Sequence, residues 1–434
     1  MNKNKISFKN INETEGNLLL LKAEKVLSEP DISHYKFYSE YIEVAMQYYN
    51  SVFETFLESL SISLDVDPKT IKKSYRIDID FLKTIDEKTD EEKWFFKTLM
   101  AKIGSGFEKL KKLFLKFNIN KGKPLEPFRL FGKAIYDPKK KKYLTNKEVQ
   151  EISDGVVKFL KTYIGSQNDE LIVRSMLMGK FAQKLQEDGK TEKEILNTKH
   201  EEFEKEYKGN VPSEPEEYYK KYKPERITKH AMQYAINNSG KYLAVERSNI
   251  KNSMVEYTQK LISDGLAMGR PRHELVSDFY YKSKEMKNNG IEEWNRDIQR
   301  IILTETKTAF EGGKMIEAKE HNDSIGKKTY MLYGFHVNPE EGIDEPCNKW
   351  LGKIGLVVDE PRDSDATNDP NADFLIWAGK TNIGRNKANA WACIPSHPKC
   401  KHTFTQIDVE TQMYNKENGL IEYRTLKNGG LKEL

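Results

Sequence analysis

Cysteine is nearly absent from this chain. Three occur in 434 residues, Cys347, Cys393 and Cys400, and none precedes position 347. An odd, sparse count argues against a disulfide framework and for a reducing compartment. Long apolar runs are missing too. The greasiest stretch, LLLL at 18–21, is short and flanked by charge, so nothing approaches membrane-spanning length. The first ten residues, MNKNKISFKN, lack the apolar centre of a secretory signal. Neither charge sign is in excess. With 71 basic and 67 acidic residues the net charge is +4, so any nucleic-acid contact must rest on local patches. There is no internal repeat and no low-complexity tract.

What is present suits a polar but folded protein. Charged residues make up 32% and mean hydropathy is -0.75, yet 22 Tyr, 20 Phe and 5 Trp supply bulky core material. The length suits two or three domains. Tyr38, Ile42, Met46, Tyr49, Phe53 and Phe56 recur at three- and four-residue steps, which predicts one amphipathic helix. Ile250, Met254, Tyr257 and Leu261 repeat the pattern. Gly265 and Gly269 close that helix, and Pro271 suits the first turn of the next. A long helix is expected from about Ile291 to His321. GNVPSEPEEYYKKYKP, residues 209–224, has three prolines and reads as a linker. After Lys327 the pattern changes: TYMLYGFHVN and KHTFTQIDVE read as strands among Gly-, Asp- and Pro-rich loops.

The expected fold is therefore mainly α, ending in a small, loop-rich α+β module. We divide it into an N-terminal helical region (1–122), a helical middle region (123–223), a central helical domain (224–326), the α+β module (327–412) and a polar tail (413–434).

CIPSHPKCKH, residues 393–402, crowds four metal-ligand types into ten positions. Pro395 and Pro398 forbid a continuous helix, so the segment is a folded-back loop entering a strand. Cys400 and His402 are two apart and project to one side of that strand. With Cys347 in the distant turn IDEPCNKW, there are five candidate ligands for four positions: Cys347, Cys393, His397, Cys400 and His402. Thiolate with imidazole suits structural zinc, and one ion closing two loops would compensate for a thin core. The alternative is buried free cysteines beside surface histidines. Elsewhere, Thr304 and Glu305 lie in RIILTETKTAFEGG, with Glu305 on the apolar face of the long helix. A carboxyl there is either functional or a structural anchor bonded to a neighbouring turn. Lys139, Lys140, Lys141 and Lys142 could touch phosphate or form a solvated turn.

Three segments in order carry a resemblance: the helices before Pro271, RIILTETKTAFEGG, and DEPCNKWLGK followed far downstream by IPSHPKCKH. Together they resemble the C-terminal half of the phage head morphogenesis, or minor head protein, family, which includes the Mu-type F-like head proteins. The match covers roughly residues 220–410. The family pattern has Arg-Thr-Glu on the long helix, an acidic turn with C-x2-C, then Pro-x-x-His-Pro-x-Cys-Arg-Cys. Thr304, Glu305, Cys347, Pro395, His397, Pro398 and Cys400 match it. Leu303 stands at the arginine, Trp350 at the second cysteine and His402 at the last, which marks a divergent member in which Cys393 could take the vacant place.

The resemblance implies a few-copy virion component, made in the host cytoplasm. It would bind portal protein or major capsid protein and act in head assembly and DNA packaging or delivery, with no catalytic activity and no membrane partner. Two other readings stay open. One is a metal-dependent nuclease with His336 as base. The other is a DNA-binding packaging factor working through Lys109–Lys123 and Lys139–Lys142.

Overall fold

A computed structural model describes residues 35–67, 116–117, 119, 125–243, 249–285, 291–335, 347, 349–360, 365–382, 385–386, 388–396, 400, 402–409, 412–415, 420–427 and 430–433. Ten α-helices are described: α1 (Lys36–Ser63), α2 (Asn146–Leu160), α3 (Ser166–Glu187), α4 (Glu192–Asn197), α5 (His200–Glu206), α6 (Pro215–Tyr222), α7 (Arg226–Leu243), α8 (Asn249–Met268), α9 (Arg272–Glu285) and α10 (Ile291–Ser324). The strands follow: β1 (Tyr330–Phe335), β2 (Ile354–Val357), β3 (Phe374–Ile376), β4 (His402–Ile407), β5 (Gln412–Asn415), β6 (Leu420–Lys427) and β7 (Gly430–Glu433). The protein is mainly helical with a small four-stranded sheet, as expected. Among the described residues no helix is long and apolar enough to cross a membrane.

The chain forms two compact units. The first takes Glu43–Tyr163 and Asn249–Asn295 among its segments. Its core is aromatic. Phe56 of α1 meets Phe159 edge-on at 5.2 Å and Phe279 at 5.6 Å, and Tyr257 meets Phe279 at 5.0 Å. The segment after Leu125 lies along α1, where Ser59 and Ser63 accept hydrogen bonds from the backbone of Phe128 and Leu130. Gly155 of α2 permits this: a Cβ there would sit 1.7 Å from the carbonyl oxygen of Leu130. Thr145 and Glu148 form a reciprocal capping box that starts α2.

The second unit takes Asp31–Ile42, Ile164–Ser248 and Arg296–Leu434. Phe37, Phe181 and Phe203 pack together, and Tyr38 lies 4.5 Å from Phe310 on α10. Helices α3 and α10 touch backbone to backbone through Gly179 and Gly313. The contact is fastened by Lys180, whose ammonium reaches Glu317 at 2.9 Å and also Glu320. Thr228 of α7 donates to Glu320 at 2.7 Å. The expected linker is partly helical: Pro215 opens α6, and Tyr218 is buried. Proline at the first helical position lacks only an N–H that has no partner there, so it starts helices as readily as it breaks them. The stretch read as a tail supplies β5, β6 and β7, an antiparallel meander.

The sheet has the order β3-β2-β1-β4, with β2 and β3 parallel and the other pairs antiparallel. Directly opposed residues share a face. Tyr330, Leu332 and Ile407 make an apolar cluster on one face. Tyr333 opposes Phe404 and Phe335 opposes His402 on the other. Strand β4 is an edge, and α10 covers it with a buried ion pair. The Glu311 carboxylate accepts from the Phe404 N–H at 3.0 Å and from the Thr403 hydroxyl at 2.7 Å. The Lys314 ammonium donates to Thr403 Oγ1 at 2.8 Å and to the Phe404 carbonyl. Two side chains thus stand in for a missing strand partner. Burial opposes the charge on Lys314, but Glu311 and Tyr35 more than offset it and hold its ammonium above the usual lysine range.

Candidate metal centre

Three pieces of backbone meet beside β1. The turn formed by Cys347 and residues 349–352 is one. The Cys347 carbonyl accepts from Trp350 N–H at 2.9 Å and Leu351 N–H at 3.1 Å. Gly352, at φ 74°, supplies the left-handed residue that closes the turn. Its N–H then donates to the Tyr333 carbonyl at 2.8 Å, tying the turn to β1. The second piece is the loop carrying Ser396, entered through a cis Ile394–Pro395 bond. The third is the start of β4. Here the Cys400 carbonyl accepts from the Lys307 ammonium of α10, and His402 opens the strand.

The donor atoms converge. Cys347 Sγ lies 3.9 Å from Cys400 Sγ, and Cys400 Sγ lies 3.6 Å from His402 Nδ1. All three ligand atoms fall within 4.8 Å of one another, and all three residues are buried. Around a tetrahedral ion with metal–sulfur bonds of about 2.3 Å and a metal–nitrogen bond of about 2.0 Å, the S···S edge is about 3.8 Å and the S···N edge about 3.5 Å. The Cys347–Cys400 and Cys400–His402 edges match that figure, the third edge lies within 4.8 Å, and the group can hold a metal ion.

Two further groups complete the wall. Ser396 Oγ is 2.9 Å from Cys347 Sγ and 3.9 Å from Cys400 Sγ. The Tyr333 hydroxyl is 3.3 Å from Ser396 Oγ and 3.9 Å from Cys400 Sγ, with its ring 5.2 Å from that of His402. Without a cation, the site favours protons. The Cys347 thiol is pushed far up, first by its hydrogen bond with Cys400 and then by burial. Burial likewise raises the Tyr333 phenol. A divalent cation reverses this balance, because it binds thiolates and displaces their protons.

Of the five expected ligands, Cys347, Cys400 and His402 come together. Cys393 does not join them. It is buried, but its thiol points to the Pro395 carbonyl at 3.5 Å and is pushed up mainly by burial. His397 lies outside the described residues, as does His336. Trp350, at the position of the family's second cysteine, packs its ring on Phe374 at 5.3 Å instead. Glu305 is buried, and Thr304 is partly buried. Among the described residues the Glu305 carboxyl has no hydrogen bond or ion pair, and burial pushes its pKa up to about 8. The anchoring bond to a neighbouring turn is therefore not found there. In the first unit, Lys140 pairs with Asp137 at 3.5 Å and Lys142 with Glu148 at 2.8 Å, which neutralises half of the Lys139–Lys142 run.

Sequence reasoning missed Ser396 and Tyr333. Ser396 sits between two prolines of the motif, and Tyr333 lies on the same face of the sheet as His402 and Phe404, but only strand register reveals that. Compared with known proteins, the chain matches no family description, no curated relative and no solved structure.

Proposed function

We propose that this chain is a minor head protein of a phage or prophage. Its C-terminal lobe would be stapled by structural zinc, and its helical parts would engage portal or capsid protein during head assembly and DNA packaging or delivery. One observation carries the reading. The two short segments that bear the family resemblance, 53 positions apart at their cysteines, bring their sulfurs to 3.9 Å. Two thiols and an imidazole are a donor set that favours zinc over the harder divalent cations. Cys347, Cys400 and His402 would hold the ion. Tyr333 and Ser396 would orient the sulfurs, as outer partners do at such sites. A fourth donor comes from solvent or from His397. Bound there, the metal supplies a cross-link that the thin sheet lacks.

The test has two parts. Metal analysis of the purified chain should return about one zinc per chain, lost in Cys400→Ser. The chain should also co-purify with portal protein and remain in purified particles. A zinc-free chain would remove the staple, and consistent absence from particles would remove the head role. Plasmid DNA should stay intact with and without chelator; chelator-sensitive cleavage would favour a nuclease instead.

A further inference from the structure

The balanced charge of the whole chain hides a local imbalance. Residues 374–402 contain five lysines and arginines, Lys380, Arg385, Lys387, Lys399 and Lys401, and no aspartate or glutamate. At the chain's average acid content such a stretch would hold four or five acids. Part of this segment folds as a surface loop built around an indole. The Arg385 guanidinium stacks 3.1 Å from the centre of the Trp391 ring, and the Lys380 ammonium lies 4.9 Å from it. Lys380 is held by Asp365, so its charge is answered. Arg385 and Lys349 have no such carboxylate among the described residues. Lys349 is exposed, sits 4.5 Å over the Trp350 ring, and reaches across to the Ala390 carbonyl at 3.1 Å. The Lys349 bond to Ala390 thus links the segment bearing Trp350 to the loop bearing Trp391.

Hydrogen bonds tie this arrangement together. Asn382 exchanges two hydrogen bonds with the Trp391 backbone, at 2.7 and 2.8 Å. Among the described residues the Arg385 side chain donates one bond, from NH1 to the Asn389 carbonyl at 2.8 Å. A guanidinium carries five N–H donors, so the fork keeps donors that no described residue takes. A fixed fork on an aromatic face suits a phosphate at its edge and a base on its outer surface. A carboxylate-bearing protein would use the charges but not the flat faces.

We infer that Lys349, Trp350, Arg385 and Trp391 form a contact surface for single-stranded nucleic acid. Phosphates meet the two cations, and bases stack on the partly exposed aromatic and guanidinium planes. The surface lies on the second unit, not on the Lys139–Lys142 turn. It goes beyond the head-protein reading and its test does not depend on that reading.

Binding of the full chain to a short fluorescent single-stranded DNA, followed by anisotropy across a salt series, tests it. Affinity should fall with salt, and Lys349→Ala and Arg385→Ala should each weaken binding roughly tenfold. The double variant should flatten the slope of log affinity against log salt by about 1.4, at about 0.7 per lost phosphate contact. Arg385→Lys should bind between wild type and Arg385→Ala, because it keeps charge but not the planar fork. Circular dichroism and metal content confirm that each variant is folded, and the exposed Lys349 supplies a variant that leaves the loop's own bonds largely in place. The inference is overturned if the intact chain does not bind, or if both loop variants bind as well as wild type. It is also overturned if Lys139→Ala/Lys142→Ala alone abolishes binding, or if polyglutamate displaces the DNA at equal charge concentration.

Discussion

Loading the cluster with zinc should release two protons for each ion bound. In the metal-free protein the Cys347 thiol is pushed above its ordinary range by Cys400 and by burial, so it holds its proton at pH 7. An ordinary thiol, with a pKa of about 8.5, is also mostly protonated there. Both sulfurs must become thiolates to bind. The metal-bound state therefore carries fewer protons, and affinity must rise with pH. Two protons correspond to about a hundredfold, or about 2.7 kcal/mol, for each pH unit between 7 and 8. Calorimetric titration in two buffers of different protonation enthalpy counts the protons directly. Cys347→Ser should reduce the count to one. It should also lower affinity by more than the roughly 10–100-fold that loss of an outer partner costs. Cys393→Ser should change neither, because its sulfur bonds the Pro395 carbonyl outside the group. A wild-type count of one or less, or an equal loss from Cys393→Ser and Cys400→Ser, would refute the three-donor site.

Other expectations follow from the surrounding structure. Glu311→Ala strands the buried Lys314 ammonium and the Phe404 N–H, and should cost about 3–5 kcal/mol in urea denaturation, with faster amide exchange along β4. Replacing both partners, Glu311→Leu with Lys314→Met, should recover much of that loss. An unaltered midpoint for the single variant would show that the pair does not hold the edge. For Glu305, burial raises the folded pKa to about 8 from an ordinary 4.5. The folded state thus binds this proton more tightly, so its contribution is fully present below pH 4.5 and is lost as pH rises through 8. Glu305→Gln should leave stability unchanged near pH 4 and raise it above pH 8 by on the order of 4–5 kcal/mol; parallel pH profiles for the two proteins would contradict this. Gly313→Ala places a Cβ 1.9 Å from the Met176 carbonyl, and should cost about 1–3 kcal/mol or more by prising α3 from α10, read as a lowered thermal midpoint.

Much of the helical architecture is written in local spacing. Tyr38, Ile42, Met46, Tyr49, Phe53 and Phe56 are all buried along α1, and Ile250, Met254, Tyr257 and Leu261 along α8. Gly269 does adopt a left-handed turn, at φ 64°, before α9 begins. The same local rule put Cys400 and His402 on one side of a strand, because a strand repeats every two residues. These features need only neighbours within a few positions. Proline was misjudged in 209–224, because a linker and a helix start share the same composition.

Long-range partnership was legible only as a pool of candidate ligands, not as the set that meets. Nothing in the spacing of residues 347 and 400 says that their sulfurs meet; that depends on the turn at Gly352 docking onto β1, and on β1 pairing with β4 in one register. Cys393 was a candidate for the place left by Trp350, yet its sulfur points to the Pro395 carbonyl. Glu311 and Lys314 read as ordinary helix charges until the edge of β4 lies against them. Local spacing and residue type mark most of the helices, the two strands they suggest and the donors at hand. Which donors share a site is set by packing, because a side chain's chemistry is local while its neighbours come from distant segments.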